Sequence, residues 1–152
     1  MSVIEDRLNS LGITLPTPVA PIANYAPFIR SGNLLFISGQ VSVDESGGIK
    51  GIVGDDVDEA TGQLAAGLCG INLLAQMKAA TGDLDRVIRV VKLGGFVQAG
   101  PDFFNIPQVI NGCSDLMVAA FGDEGRHARS AVGVFSLPMN FAVEVDAIVE
   151  VE

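Results

Sequence analysis

Apolar and polar residues along this chain fall into short runs of period two and longer runs of helical period, the mixture that an α+β chain produces. Ile4, Leu8 and Leu11 recur at helical spacing between Ser2 and Leu11, and Gly12 supplies a stop. Leu15 to Pro27 carries Pro16, Pro18, Pro21 and Pro27, so this stretch is expected to be an extended, irregular arm, with Tyr25 near its end. Phe28 to Arg30 and Leu34 to Ser38 read as two strands joined by a tight turn at Ser31-Gly32-Asn33, with Gly39 directly after. Val41 to Val43 alternates, Asp44 to Gly48 is a turn, and Ile49 to Val53 is expected to form a further short strand.

Asp55, Asp56 and Asp58 precede a run to Ala80 in which Leu64, Leu68, Ile71 and Ala75 share one face, predicting an amphipathic helix with acid at its positive end. Gly62, Gly67 and Gly70 each cost such a helix about 1 kcal/mol relative to alanine, which close approach to a sheet would offset. Val87 to Val97 is rich in β-branched residues and reads as a central strand, with Gly94 and Gly95 marking a bulge or a close approach. A second helix is expected over Ile106 to Phe121, ended by Gly122. Ser130 to Phe135 and Phe141 to Val151 read as the last strands, linked through Leu137-Pro138-Met139-Asn140. In the final strand Val143, Val145, Ala147, Val149 and Val151 form the core face, and Glu144 begins the polar one. The order β-β-β, α, β, α, β-β predicts one α+β domain over residues 1–152, with two helices on one face of a mixed sheet and residues 1–24 as a helix and arm.

Composition narrows the function. The chain has 152 residues, 49% hydrophobic and 18% charged, with a mean hydropathy of +0.44. That is more apolar surface than a small monomer hides, which points to association. A net charge of −9, with the basic residues scattered apart from Arg126, His127 and Arg129, disfavours a nucleic-acid partner, because phosphate binding needs a sustained basic stripe. No basic leader and no long apolar run is present, so an intracellular, cytoplasmic location without membrane contact is expected. Cys69 and Cys113 lie far apart with no second ligand at metal spacing and read as buried, reduced thiols. No P-loop, dinucleotide fingerprint or nucleophile elbow occurs, so neither metal nor cofactor is expected.

The distinctive local feature is Gly125-Arg126-His127-Ala128-Arg129-Ser130-Ala131-Val132, a cationic cluster leading into a strand. A guanidinium at a strand end can grip a carboxylate through paired donors, or can simply pair with one of the chain's many acids. Tyr25 reads first as a packing residue, with a pocket wall as the alternative, and Glu144 is open between an ordinary strand carboxylate and a catalytic one. His127 reads first as a local hydrogen-bonding residue.

Taken in order, Tyr25, the run Gly32-Asn33-Leu34-Leu35-Phe36-Ile37-Ser38-Gly39-Gln40, Val87 to Val97, Asn111, Ala128-Arg129-Ser130-Ala131-Val132, Leu137-Pro138 and Val143-Glu144-Val145-Asp146-Ala147-Ile148 resemble the Rid/YjgF family. The resemblance covers about Tyr25 to Val149. It implies a chorismate-mutase-like fold assembled as a homotrimer, with pockets between neighbouring subunits that take a small carboxylate or imino acid without a cofactor. It further implies hydrolysis of 2-imino acids, the unstable products of pyridoxal-phosphate dehydratases and of amino-acid oxidation, to 2-keto acids and ammonia. By position, Arg129 would clamp the substrate carboxylate and Glu144 would position water. Tyr25 and Asn111 would line the cleft, Gly39 would admit close approach of the ligand, and backbone groups at Ala131 would meet the imine nitrogen.

The chain departs from the deaminase pattern at Ala131 and Gly133, where cysteine and glutamate are usual, and around Ala99 to Pro107. These changes imply a divergent subgroup with a larger or differently charged pocket. A non-catalytic trimer that binds or senses small carboxylates is the alternative. Ribonuclease activity, attached to some relatives, is at odds with the acidic charge.

Overall fold

Two carboxylates fix where the first helices begin. In the computed structural model, which describes residues 2–18, 21 and 23–152, Asp58 caps the long helix α2 (Glu59–Thr81), its Oδ1 accepting the Thr61 amide at 2.7 Å. Asp85 does the same from a distance for α1 (Val3–Ser10): its carboxylate accepts the Ser2 hydroxyl at 2.8 Å and the Val3 and Ile4 amides at 2.9 and 3.0 Å. Gly82 ends α2 in the left-handed conformation that a helix C-terminus favours.

Five strands, β1 (Phe28–Ser31), β2 (Leu34–Val41), β3 (Val87–Gln98), β4 (Ala128–Val134) and β5 (Val143–Val151), form one sheet in the order β1-β2-β5-β3-β4. Only the β3–β4 pair is parallel, and α3 (Ile106–Phe121) makes the crossover between them. Helices α2 and α3 cover one face. There Leu35, Ile37, Val90, Leu93, Val97, Val143, Val145 and Val149 pack under Leu73, Leu74, Met77, Ile110 and Met117. The alternation expected for the last strand is present in full: every odd residue from Val143 to Val151 is buried.

Several expectations are corrected. Ile49 to Val53 is no strand, since only isolated bridges join Lys50 to Phe141 and Val53 to Ala99. Gly48, Gly51 and Gly54 hold φ of 86°, 122° and 91°, values that break an extended run. The face of α2 carrying Leu64, Leu68 and Ile71 is not the core face. Leu64 is 67% exposed, while Ala65, Ala66, Cys69, Leu73 and Leu74 are fully buried. Small residues win part of that face because α2 presses closely against α3 as well as lying on the sheet. A side chain at Gly62 would meet Val109 as well as Val53, and one at Gly70 would meet Leu116 and Cys113 of α3. Gly94 and Gly95 pair in regular register, so they serve close approach and form no bulge: Ile110 of α3 sits on Gly95, and the Asp146 carboxylate lies across Gly94.

The described parts of the arm over Leu15 to Pro27 carry neither helix nor strand; residues 19, 20 and 22 lie outside the described set. Both cysteines are free and buried, and burial pushes the Cys113 thiol up to about 12, against the pull of Arg129. No helix among the described residues is long and apolar enough to cross a membrane.

Candidate ligand site

Strand β4 lies at the edge of the sheet and alternates. Arg129, Ala131 and Gly133 turn toward the helices, where Gly133 faces Ile106 of α3, while Ser130 and Val132 point away. The half-buried Arg129 side chain lies along α3, and its Nη1 donates to Asn111 Oδ1 at 2.8 Å and to Ser114 Oγ at 3.1 Å. Asn111 and Ser114 are three residues apart, one above the other on the same helix face. His127 Nε2 lies 2.8 Å from that serine oxygen, and its Nδ1 bonds the local Gly125 carbonyl at 2.6 Å.

Arg129 has no acid partner among the described residues; Arg7, Lys50 and Lys92 lack one too but are exposed, whereas Arg129 is half-buried. In a chain with 18 acids and 9 basic residues, a half-buried guanidinium held only by neutral acceptors is oriented but not neutralised. Such a group attracts an anion, and its planar fork suits a carboxylate.

Glu144 sits on the opposite face of the sheet. Phe96 pairs with both Glu144 and Val132, whereas Arg129 pairs with the fully buried Leu93. The two residues are therefore three positions and two strands apart, about 14 Å between Cα atoms, with side chains on opposite sides. Glu144 lies over Gly39 of β2, where a Cβ would come within 2.6 Å of its Oε2. The room that Gly39 makes is thus filled by this carboxylate. Around Gly39 the β2–β5 register shifts between Ile37 and Gln40, so Ser38 and Gly39 together oppose Asp146. Ser38 is pinned to the arm: its amide donates to the Pro27 carbonyl at 3.0 Å and its hydroxyl to the Ala26 carbonyl at 2.7 Å. Tyr25, one residue earlier, is 55% exposed. Burial raises the Glu144 carboxyl above its ordinary range, and the Asp146 charge adds to this; Asp146 is raised chiefly by burial too.

The residues read from the sequence thus form two half-sites. Arg129, Asn111 and Ala131 lie on the helix side, at the free edge. Tyr25, Gly39 and Glu144 gather at the β1–β2–β5 end and the open face. A carboxylate at 144 within a water's reach of Arg129 does not occur inside one chain, because the two side chains leave the sheet in opposite directions. Sequence reading passed over Ser114, whose signal was its spacing from Asn111, and took Asp146 only as part of the last strand's motif, without its place beside Glu144 on the same face.

Comparison with known proteins agrees with the fold. A family model described as "YjgF/chorismate_mutase-like, putative endoribonuclease" matches residues 5–151. Protein TCP17 of Trypanosoma cruzi is 49% identical over 149 residues, covering 97% of this chain and 93% of its own. The crystal structure of protein Atu1372 from Agrobacterium tumefaciens, described as of unknown function, superposes with a TM-score of 0.93 at 53% identity, covering 99% of this chain and 93% of that one. A 2-iminobutanoate/2-iminopropanoate deaminase of Dermatophagoides farinae is 28% identical over 142 residues, 92% of this chain and 95% of its own. With its five-stranded mixed sheet, its helices and a match over nearly its whole length, the chain belongs to the Rid/YjgF family.

Proposed function

We propose that the chain hydrolyses small 2-imino acids to 2-keto acids and ammonia, in clefts that two copies of a homotrimer build together. The observation that carries this reading is the acid-free, half-buried Arg129 guanidinium, held by Asn111 and Ser114. The open face of the sheet supports association. Ile29, Phe36 and Val132 are 58%, 42% and 48% exposed there, apolar surface that a second copy would cover. Because Arg129 and Glu144 leave one sheet on opposite sides, a cleft that uses both draws them from different chains.

In such a cleft Arg129 of one copy holds the substrate carboxylate, and Glu144 of its neighbour faces the imine carbon. Glu144 takes a proton from water as the water oxygen bonds to that carbon. The C=N bond becomes a C–N single bond in a carbinolamine. Glu144 returns that proton to the nitrogen, which completes the neutral carbinolamine; it then takes the carbinol O–H proton and passes it to the nitrogen as the C–N bond breaks and the carbonyl forms, so water plus imine has become keto acid plus ammonia. The imine carbon is already electrophilic, so orientation and one general base, the latter worth about 10²- to 10⁴-fold, suffice without a metal. Tyr25 and Asn111 line the cleft, and the Ala131 backbone meets the imine nitrogen.

A coupled assay tests this. A pyridoxal-phosphate dehydratase generates 2-aminoacrylate or a larger imino acid, and keto-acid release is followed with and without the protein. Acceleration that Arg129→Ala removes is expected. No acceleration over the spontaneous rate across several side chains would refute turnover. Thermal stabilisation by 2-keto acids without hydrolysis, lost in Arg129→Ala, would leave a carboxylate-sensing trimer as the function.

A further inference from the structure

The hydroxyl that meets Arg129 is not free to rotate. His127 Nδ1 lies 2.6 Å from the Gly125 carbonyl, which can only accept, so Nδ1 carries a hydrogen. In the neutral ring Nε2 is then a bare lone pair, 2.8 Å from Ser114 Oγ, and the serine hydroxyl must donate to it. Its oxygen lone pairs are thereby turned to Arg129 Nη1, 3.1 Å away. Asn111 Oδ1 takes the other Nη1 hydrogen at 2.8 Å. Both hydrogens of Nη1 are spent inside the protein, and three N–H groups remain, one on Nε and two on Nη2.

A guanidinium grips a carboxylate in two ways, end-on through Nη1 and Nη2 or side-on through Nε and Nη2. Only the second is left here. We propose that His127, acting through Ser114, is a positioning residue that presents the Nε–Nη2 edge of Arg129, so that small carboxylates bind side-on. The inference rests on Arg129 being the ligand clamp and adds how the clamp is set. Without the imidazole, the hydroxyl turns, Nη1 regains a free hydrogen and the fork is no longer held in one orientation, which weakens binding without removing the charge.

His127 is the sole histidine of the chain, so a long-range ¹⁵N–¹H spectrum of the labelled protein shows one imidazole. In the neutral ring the expected pattern is a protonated Nδ1 and a bare Nε2. Titration with 2-oxobutanoate should move the Nε–H resonance of Arg129 downfield in the wild type. Calorimetry with the same acid should show His127→Leu and Ser114→Ala weakened about 5- to 10-fold, with His127→Gln, which keeps an acceptor for the hydroxyl, restoring most of the affinity. A ring protonated at Nε2, or an unmoved Arg129 Nε–H on binding, overturns the inference. So does full affinity in His127→Leu, or in Ser114→Ala should the leucine variant not fold. In each of those cases a loss of binding in Arg129→Ala leaves the clamp itself standing. Failure of the wild type to bind 2-oxobutanoate, or full affinity in Arg129→Ala, overturns the clamp and this inference with it.

Discussion

The Glu144 carboxylate lies over Gly39 on the neighbouring strand, so close that a Cβ there would come within 2.6 Å of Oε2. The glycine is a requirement of the carboxylate's position, set at a shift in strand register where the backbone has room to bend. Gly39→Ala therefore pushes the Glu144 side chain aside and leaves the core beneath untouched. We expect kcat/KM for imino-acid hydrolysis to fall about 10²-fold, the usual cost of misplacing a reacting group by about an ångström, with little change in Tm. Kinetics and thermal melts on the variant check both halves.

In the proposed reaction Glu144 serves as base only when ionised, and burial, then Asp146, raise its carboxyl above the ordinary value near 4.3. The acid limb of the rate profile should accordingly lie above that value, with activity lost as pH falls through it. Asp146→Asn removes the smaller cause and keeps the larger. The limb should move to lower pH without reaching the ordinary carboxylate range, and a pH series of kcat/KM on both proteins measures the shift. The same sign governs stability: charged Glu144 is disfavoured in the fold, so its ionisation costs stability above the raised value, and that cost disappears as pH falls below it.

Asp85 titrates the other way. The Ile4 and Val3 amides, then the Ser2 hydroxyl, hold its carboxyl below the ordinary range. Its anchoring of α1 is present in full above pH about 4 and is lost as pH falls through the depressed value. Amide resonances of Val3 and Ile4 should report release of α1 in that acid range while β5 stays folded, and Asp85→Ala should release it already at neutral pH.

How much of this was legible in the sequence depended on whether a residue's neighbours could be inferred. The β5 alternation was, because five apolar residues from Val143 to Val151 can bury only one way. The buried face of α2 was not. Hydropathy favours Leu64 and Ile71, but the close meeting of α2 with α3 selects Gly62, Ala66 and Gly70, and small size is a weaker sequence signal than hydrophobicity. Ile49 to Val53 looked like a strand because its side chains suit one, while the positive φ of the glycines around it does not show in a hydropathy pattern. Arg129, Glu144, Asn111 and Gly39 were identified as residues, yet their division between two faces was hidden. That division follows from the register joining Val132, Phe96 and Glu144, which no single strand encodes.

Two separately inactive proteins test the central claim. Arg129→Ala supplies Glu144 and lacks the guanidinium; Glu144→Gln supplies the guanidinium and lacks the base. Mixed, co-refolded and shown to exchange subunits, they should regain about a quarter of the wild-type rate, the share of clefts in a randomly mixed ring that pair an intact Arg129 with a neighbour's intact Glu144. Mixed oligomers that remain as inactive as either parent would contradict a site shared between two chains.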